Sequence, residues 1–132
     1  MSIVVDSSVL VAALVDVGPH GIWAENVLAA GSLNAPELAR AEATNILRRL
    51  ERAKLITTPE ANGAQDDLMQ LDLDLFSFEP FADRIWELRH NVTCYDAWYV
   101  AIAEALGLRL ATLDKALSKS KGVACEFLTP KI

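Results

Sequence analysis

Apolar and polar positions alternate in short blocks along this chain, and each block has the length of one secondary-structure element. Ile3-Val4-Val5 is a brief unbroken apolar run, as expected of a strand buried on both faces. Ser7 or Ser8 then caps a helix reaching about Val15. Gly18-Pro19 breaks it, and a second helix spans about Gly21 to Ala30 before Gly31 stops it. Leu33 to Ala35 predicts a second strand. A long helix follows from Pro36 to about Lys54, with proline in its first turn. Thr57-Thr58-Pro59-Glu60 starts a helix to roughly Leu71, and Leu75 to Phe78 reads as a strand. Pro80 to His90 and Tyr95 to Leu106 read as helices, the latter stopped by Gly107. Arg109 to Ala111 is a strand, Lys115 to about Lys119 a short helix, and Ala124 to Leu128 the final strand.

Strands therefore alternate with helices, and the connections have room for crossovers. That order predicts an α/β fold with a parallel sheet covered on both faces. The 132 residues suffice for one domain, 1–132, with a full core, and there is no repeat, low-complexity stretch or linker. A hydrophobic content of 52% excludes a disordered chain. No apolar run approaches the roughly 20 residues that cross a bilayer. The start, Met1 to Asp6, lacks the basic and apolar regions of a signal peptide, so the expectation is a cytoplasmic protein with no membrane partner. Cys94 and Cys125 lie 31 positions apart, which is neither a redox motif nor a zinc knuckle, and both are expected as buried free thiols.

Four acids stand where the chain changes direction: Asp6, Glu42, Asp96 and Asp114. Residues just past the carboxyl ends of neighbouring parallel strands meet in one crevice. Each acid also suits an ordinary structural role. Asp6 and Asp114 can cap helices, Glu42 borders the stripe Ala39, Ala43, Ile46, Leu47 and Leu50, and Thr93-x-x-Asp96 has the form of a capping box. Jointly they predict clustered carboxylates, which repel one another unless a hard, oxygen-liking cation such as Mg²⁺ or Mn²⁺ sits among them. Asn45 and Arg49 follow Glu42 on the same helix flank, and Thr112 precedes Asp114 by two residues.

The net charge of −6 argues against a nucleic-acid partner when taken alone. The distribution changes that picture. Five of the twelve basic residues fall between Arg40 and Lys54, and three more are Lys115, Lys119 and Lys121, so both clusters adjoin one of the acids. His20 and His90 lack the spacing of a zinc site, and no glycine-rich phosphate loop follows any strand. Trp23, Trp86 and Trp98 sit in apolar neighbourhoods and are expected to pack in the core or an interface.

Val4-Val5-Asp6-Ser7-Ser8-Val9-Leu10 resembles the opening of PIN-domain nucleases. Glu42 to Arg49, Tyr95-Asp96-Ala97-Trp98-Tyr99-Val100-Ala101-Ile102-Ala103 and Leu110 to Leu117 resemble, in order, the three later acidic segments of that family. The small single-domain form is similar to the VapC-type toxins of toxin–antitoxin pairs. The resemblance implies a three-layer α/β/α sandwich with a five-stranded parallel sheet. It also implies a Mg²⁺-dependent endoribonuclease, Mn²⁺ substituting, with Asp6, Glu42, Asp96 and Asp114 as the acidic set. Ser7 or Ser8, Asn45 and Thr112 would support them. Arg49, Lys115 and Lys119 would meet the RNA backbone. A cognate antitoxin and a homodimer are the implied protein partners, with Trp23, Val27 and Leu28 one candidate antitoxin surface. Trp98 is bulkier than the family pattern there.

Two rivals come from other classes. A phosphoacceptor receiver domain wants an adjacent acid pair after the first strand, where this chain has Asp6-Ser7-Ser8, and an Asp after the middle strand, where it has Glu79-Pro80. A non-catalytic interaction module would use the same fold to bind a protein and would not cut RNA.

Overall fold

The computed structural model describes residues 1–131. Five strands form one sheet: β1 (Ser2–Val5), β2 (Ser32–Pro36), β3 (Leu73–Phe76), β4 (Leu110–Ala111) and β5 (Phe127–Leu128). Their spatial order is β3-β2-β1-β4-β5, and every neighbouring pair is parallel. The first connections step outward from β1 to β2 and β3. The next crosses back over the sheet to β4 on the other side of β1. The reversal puts a topological switch point between β1 and β4, where α/β sheets hold their ligands.

Among the described residues, seven α-helices fill the connections: α1 (Ser7–Val15), α2 (Pro19–Ala29), α3 (Ala39–Arg52), α4 (Thr58–Gln70), α5 (Ala82–Glu87), α6 (Cys94–Leu106) and α7 (Lys115–Ser118). Right-handed crossovers place α1–α4 on one face and α5–α6 on the other. The packing agrees: α1 contacts α2, α3 and α4, whereas α6 contacts α5 and lies across β1, β2 and β4. The core between the layers is built from Val4, Val5, Val9, Leu10, Val100, Ile102 and Leu110, all fully buried. In α3, Ala39, Ala43 and Leu47 are buried, and Ile46 and Leu50 pack against the same core, as the helical stripe predicts.

Several element boundaries depart from the sequence pattern. Pro36 is the last residue of β2 and not the start of a helix, because proline pushes the preceding Ala35 into extended backbone and the strand runs on through it. The third strand is Leu73–Phe76 and not Leu75–Phe78. The alternation Leu71-x-Leu73-x-Leu75 has the same phase at every step, and pairing with residues 33–36 of β2 decides which part of it is used. Pro80 to His90 is a 3₁₀ turn (Glu79–Phe81) followed by α5, which stops at Glu87. The final strand shrinks to two residues.

Cys94 is exposed, contrary to the expectation of a buried thiol, because it occupies the first turn of α6 at the sheet edge. Cys125 is partly buried, and burial pushes the pKa of its thiol up to about 11. Trp86 is 67% exposed and packs under the Arg89 guanidinium, 4.2 Å from the ring centre, so it belongs to neither the core nor a described interface. No single described helix is long and apolar enough to cross a membrane.

Candidate active site

The register of the two central strands builds the site. Val5 of β1 pairs with Ala111 of β4, so the next residues, Asp6 and Thr112, stand side by side where the strands end. The Asp6 amide donates to the Ala111 carbonyl at 3.1 Å, and the Thr112 hydroxyl donates to Asp6 Oδ2 although 106 residues separate them. The other oxygen, Oδ1, accepts from the Ser8 hydroxyl and from the Val9 amide, making Asp6 the N-cap of α1. Of the adjacent serines, Ser8 therefore holds Asp6, and its oxygen also accepts from the Leu113 amide at 3.4 Å.

The other acids arrive on helix N-termini. Glu42 is in the first turn of α3, Asp96 in the first turn of α6 behind its cap Thr93, and Asp114 is itself the N-cap of α7. The Thr112 hydroxyl accepts from the Asp114 amide at 3.0 Å, so one threonine ties Asp6 to Asp114. Helix N-termini carry partial positive charge, which offsets part of the repulsion among the acids.

That offset is incomplete. Burial pushes Asp6 above the usual carboxylate range against hydrogen bonds from Ser8, Thr112 and Val9, and Asp96 adds repulsion. Burial also raises Glu42, with repulsion from Asp96 and Asp6. Asp96 is raised by burial and by Asp114. The four acids thus interact through space as one charged group. Among the described residues the ion pairs are those of Arg84 with Glu87 and Glu104, and none involves the three raised acids.

This donor chemistry fits a divalent cation: the set is all oxygen, anionic, and lacks a neutralising partner of its own. Among the described residues, no three acidic, cysteine or histidine side chains close into a tight cage. An ion held through one or two carboxylates and its own waters, the habit of Mg²⁺, suits that spacing.

The PIN domain family model matches residues 3–122. The chain belongs to the PIN-domain family. It is 39% identical to "Ribonuclease VapC1" of Mycobacterium tuberculosis over 125 residues, 94% of each chain. It is 36% identical to "Ribonuclease VapC9" of the same organism, over 93% of this chain and 94% of the other. Among solved structures, PAE2754 from Pyrobaculum aerophilum superposes with a TM-score of 0.66 at 25% identity, covering 95% of this chain and 89% of that one. M. tuberculosis VapC20 superposes with a TM-score of 0.67 at 18% identity, over 92% and 96% of the two chains, and so speaks for the fold.

In this PIN domain the remaining predicted residues are scattered more widely. Asn45 and Arg49 are exposed on α3, and Lys115 and Lys119 are exposed at the two ends of α7. Asn45 makes no described hydrogen bond to the acids. Ser7 makes no described hydrogen bond to Asp6, which takes Ser8 instead. Tyr99 is a site residue that the sequence pattern misses: buried at 2% exposure on α6, its hydroxyl donates to Glu42 Oε1 at 2.6 Å. Its apolar surroundings in Ala97-Trp98-Tyr99-Val100 mark it as core. The only cue is that a buried tyrosine hydroxyl needs a partner. Trp98, the bulky departure, is half-buried with its ring edge-on to Phe78 at 5.4 Å between centres. Its buried indole N–H has no partner among the described residues.

Proposed function

We propose that this PIN domain is a Mg²⁺- or Mn²⁺-dependent endoribonuclease, the toxin of a toxin–antitoxin pair. What supports the reading is that Asp6, Glu42 and Asp96 are raised by burial and by one another or by Asp114, in a chain 39% identical to a named ribonuclease. Asp6, Glu42, Asp96 and Asp114 would surround the cation, one or two of them holding it directly and the others through its waters. When bound, it would neutralise phosphate charge and lower the pKa of a water so that, having lost a proton, it could attack phosphorus.

The chain's own part is orientation. Ser8, Thr112 and the α1 amide of Val9 fix both oxygens of Asp6. Asp96 rides in the first turn of α6, whose start Thr93 caps by accepting from the Asp96 amide. Arg49, Lys115 and Lys119 guide the RNA backbone toward the acids. Products bearing 5′-phosphate and 3′-hydroxyl are expected.

An antitoxin segment would shield this site or seat beside it. Of the three residues expected to form its surface, Val27 is buried in the core and Trp23 and Leu28 are half-buried. The exposed apolar residues there are Val17 and Ile22, which border a cleft of about 520 Å³ between α1–α2 and α4. An amphipathic helix in that cleft is the proposed seat of the antitoxin. A homodimer is part of the same reading. Light scattering on the purified chain measures that part directly.

The deciding experiment is incubation of a mixed cellular RNA pool with the purified chain in Mg²⁺, Mn²⁺ or EDTA, with Asp6→Asn and Asp96→Asn in parallel. Discrete cuts with 5′-phosphate ends, lost in EDTA and in both variants, are expected. Folded, antitoxin-free protein that leaves every RNA intact would move the chain to the interaction-module reading.

A further inference from the structure

We infer that Tyr99 is a positioning residue: its buried hydroxyl aims the Glu42 carboxylate into the acidic crevice. The inference rests on the proposed metal-dependent reading of the site.

Glu42 is the acid with the least local support. The helix that carries it, α3, begins at Leu38 without a side-chain cap, so no neighbouring polar group of its own segment restrains the carboxylate. Among the described residues, Tyr99 is the side chain that hydrogen-bonds it, from another element and 57 positions away. The tyrosine ring is packed among core residues of α6, so the hydroxyl is a fixed point and not a mobile surface group. A phenol has one proton to donate, and here it goes to Oε1 at 2.6 Å. The remaining oxygen, Oε2, and the outer lone pair of Oε1 are left for the crevice. Tyr99 lies three residues after Asp96 on α6. One buried hydroxyl therefore links the two segments that carry Glu42 and Asp96.

The test is a double-mutant cycle with Tyr99→Phe and Glu42→Gln, read by calorimetric titration with Mn²⁺ alone and by RNA cleavage. Phenylalanine keeps the ring in place, so the fold is retained. Removing one hydrogen bond to a charged group should weaken Mn²⁺ binding about tenfold and lower kcat about tenfold, with KM for RNA unchanged. In the Glu42→Gln background Tyr99→Phe should add nothing to either loss. Wild-type Mn²⁺ affinity in a folded Tyr99→Phe variant would overturn the inference. So would an undiminished loss in the Glu42→Gln background, because Tyr99 would then act on something else. A wild-type chain that binds Mn²⁺ with this coupling but cuts no RNA would defeat the nuclease reading and leave the role of Tyr99 standing. A wild-type chain that neither binds Mn²⁺ nor cuts RNA would defeat both.

Discussion

Asp6 shows how one carboxylate serves two ends that conflict. It caps α1 through the Val9 amide and is locked by Ser8 and Thr112, all of which favour its ionised form. Burial and the nearby Asp96 favour the neutral form, and burial is the larger effect. A group whose pKa is raised on folding stabilises the fold fully below its unfolded value, near 3.8 for Asp, and that contribution is lost as pH rises through the higher folded value. Glu42 and Asp96 are raised too and act in the same direction. At neutral pH and without metal, then, the site detracts from stability. Asparagine keeps an oxygen for Val9 and Ser8 while removing the charge. Asp6→Asn should therefore melt at or above the wild-type temperature at pH 7, with the gap closing as pH is lowered toward about 4. Metal should reverse the order. At a hundred times its Kd, Mn²⁺ would add about 2.7 kcal/mol to the wild type and little to the variant. Thermal melts across pH, with Mn²⁺ or EDTA, measure both effects. A metal-free Asp6→Asn protein that melts well below wild type at pH 7 would show that capping outweighs crowding.

Elements are legible in the sequence where a chemical stop is present and blurred where tertiary pairing sets the end. Thr57 and Glu60 form the capping box that begins α4, Gly107 ends α6 with a left-handed φ of 66°, and both positions are plain in the sequence. The bounds of β3 and β5 depend on what neighbouring strands offer. No local rule marks them. β5 illustrates the point, since two paired residues hold it to β4 at the sheet edge. The segment before it is secured from elsewhere. Arg84 of α5 grips Glu104 of α6 through two hydrogen bonds of 2.7 and 3.0 Å and also donates to the Gly122 carbonyl at 2.7 Å. The Ala124 amide completes the set by donating to Glu104 Oε2 at 2.7 Å. Glu104→Ala leaves the Ala124 amide unpaired and Arg84 with only the Gly122 carbonyl and Glu87, and should cost about 1 kcal/mol in denaturant unfolding. The hydrogen bonds from Arg84 and Ala124 hold Glu104 below its ordinary range, so this contribution is present above about pH 4.5 and lost as pH falls through the lower folded value. Its sign is opposite to that of the acidic site. Glu104 is eight residues along α6 from Asp96, about 12 Å of helix, so kcat should be retained. A fall in kcat with unchanged stability would mean that the clamp reaches the site.

At the scale of the whole molecule, the sequence pattern predicts a parallel sheet but not its strand order, and it is the observed pairing of β1 with β4 that sets Asp6 beside Thr112 and, two residues on, Asp114. The hydrogen bond between Glu42 and Tyr99 lies beyond that reasoning, because it joins helices from opposite layers across the top of the sheet. Charge presents the same division between pattern and place. A chain of net charge −6 with an anionic crevice repels RNA, so the basic residues that admit a phosphate backbone must be local and free. Arg40 is not free: it donates to the Leu68 and Leu71 carbonyls at the end of α4. Arg84 is engaged with Glu104. Arg49, Lys115 and Lys119 are exposed and lie outside the described ion pairs. If they position RNA without touching the reaction, replacing all three by alanine should raise KM and leave kcat at saturation near wild type. Every cation removed from the phosphate path should also flatten the dependence of log affinity on log salt by about 0.7, the value for single strands. Cleavage kinetics across a salt series would separate the roles. A reduced kcat with unchanged KM and salt slope would take these three off the backbone path and put at least one of them beside the scissile phosphate.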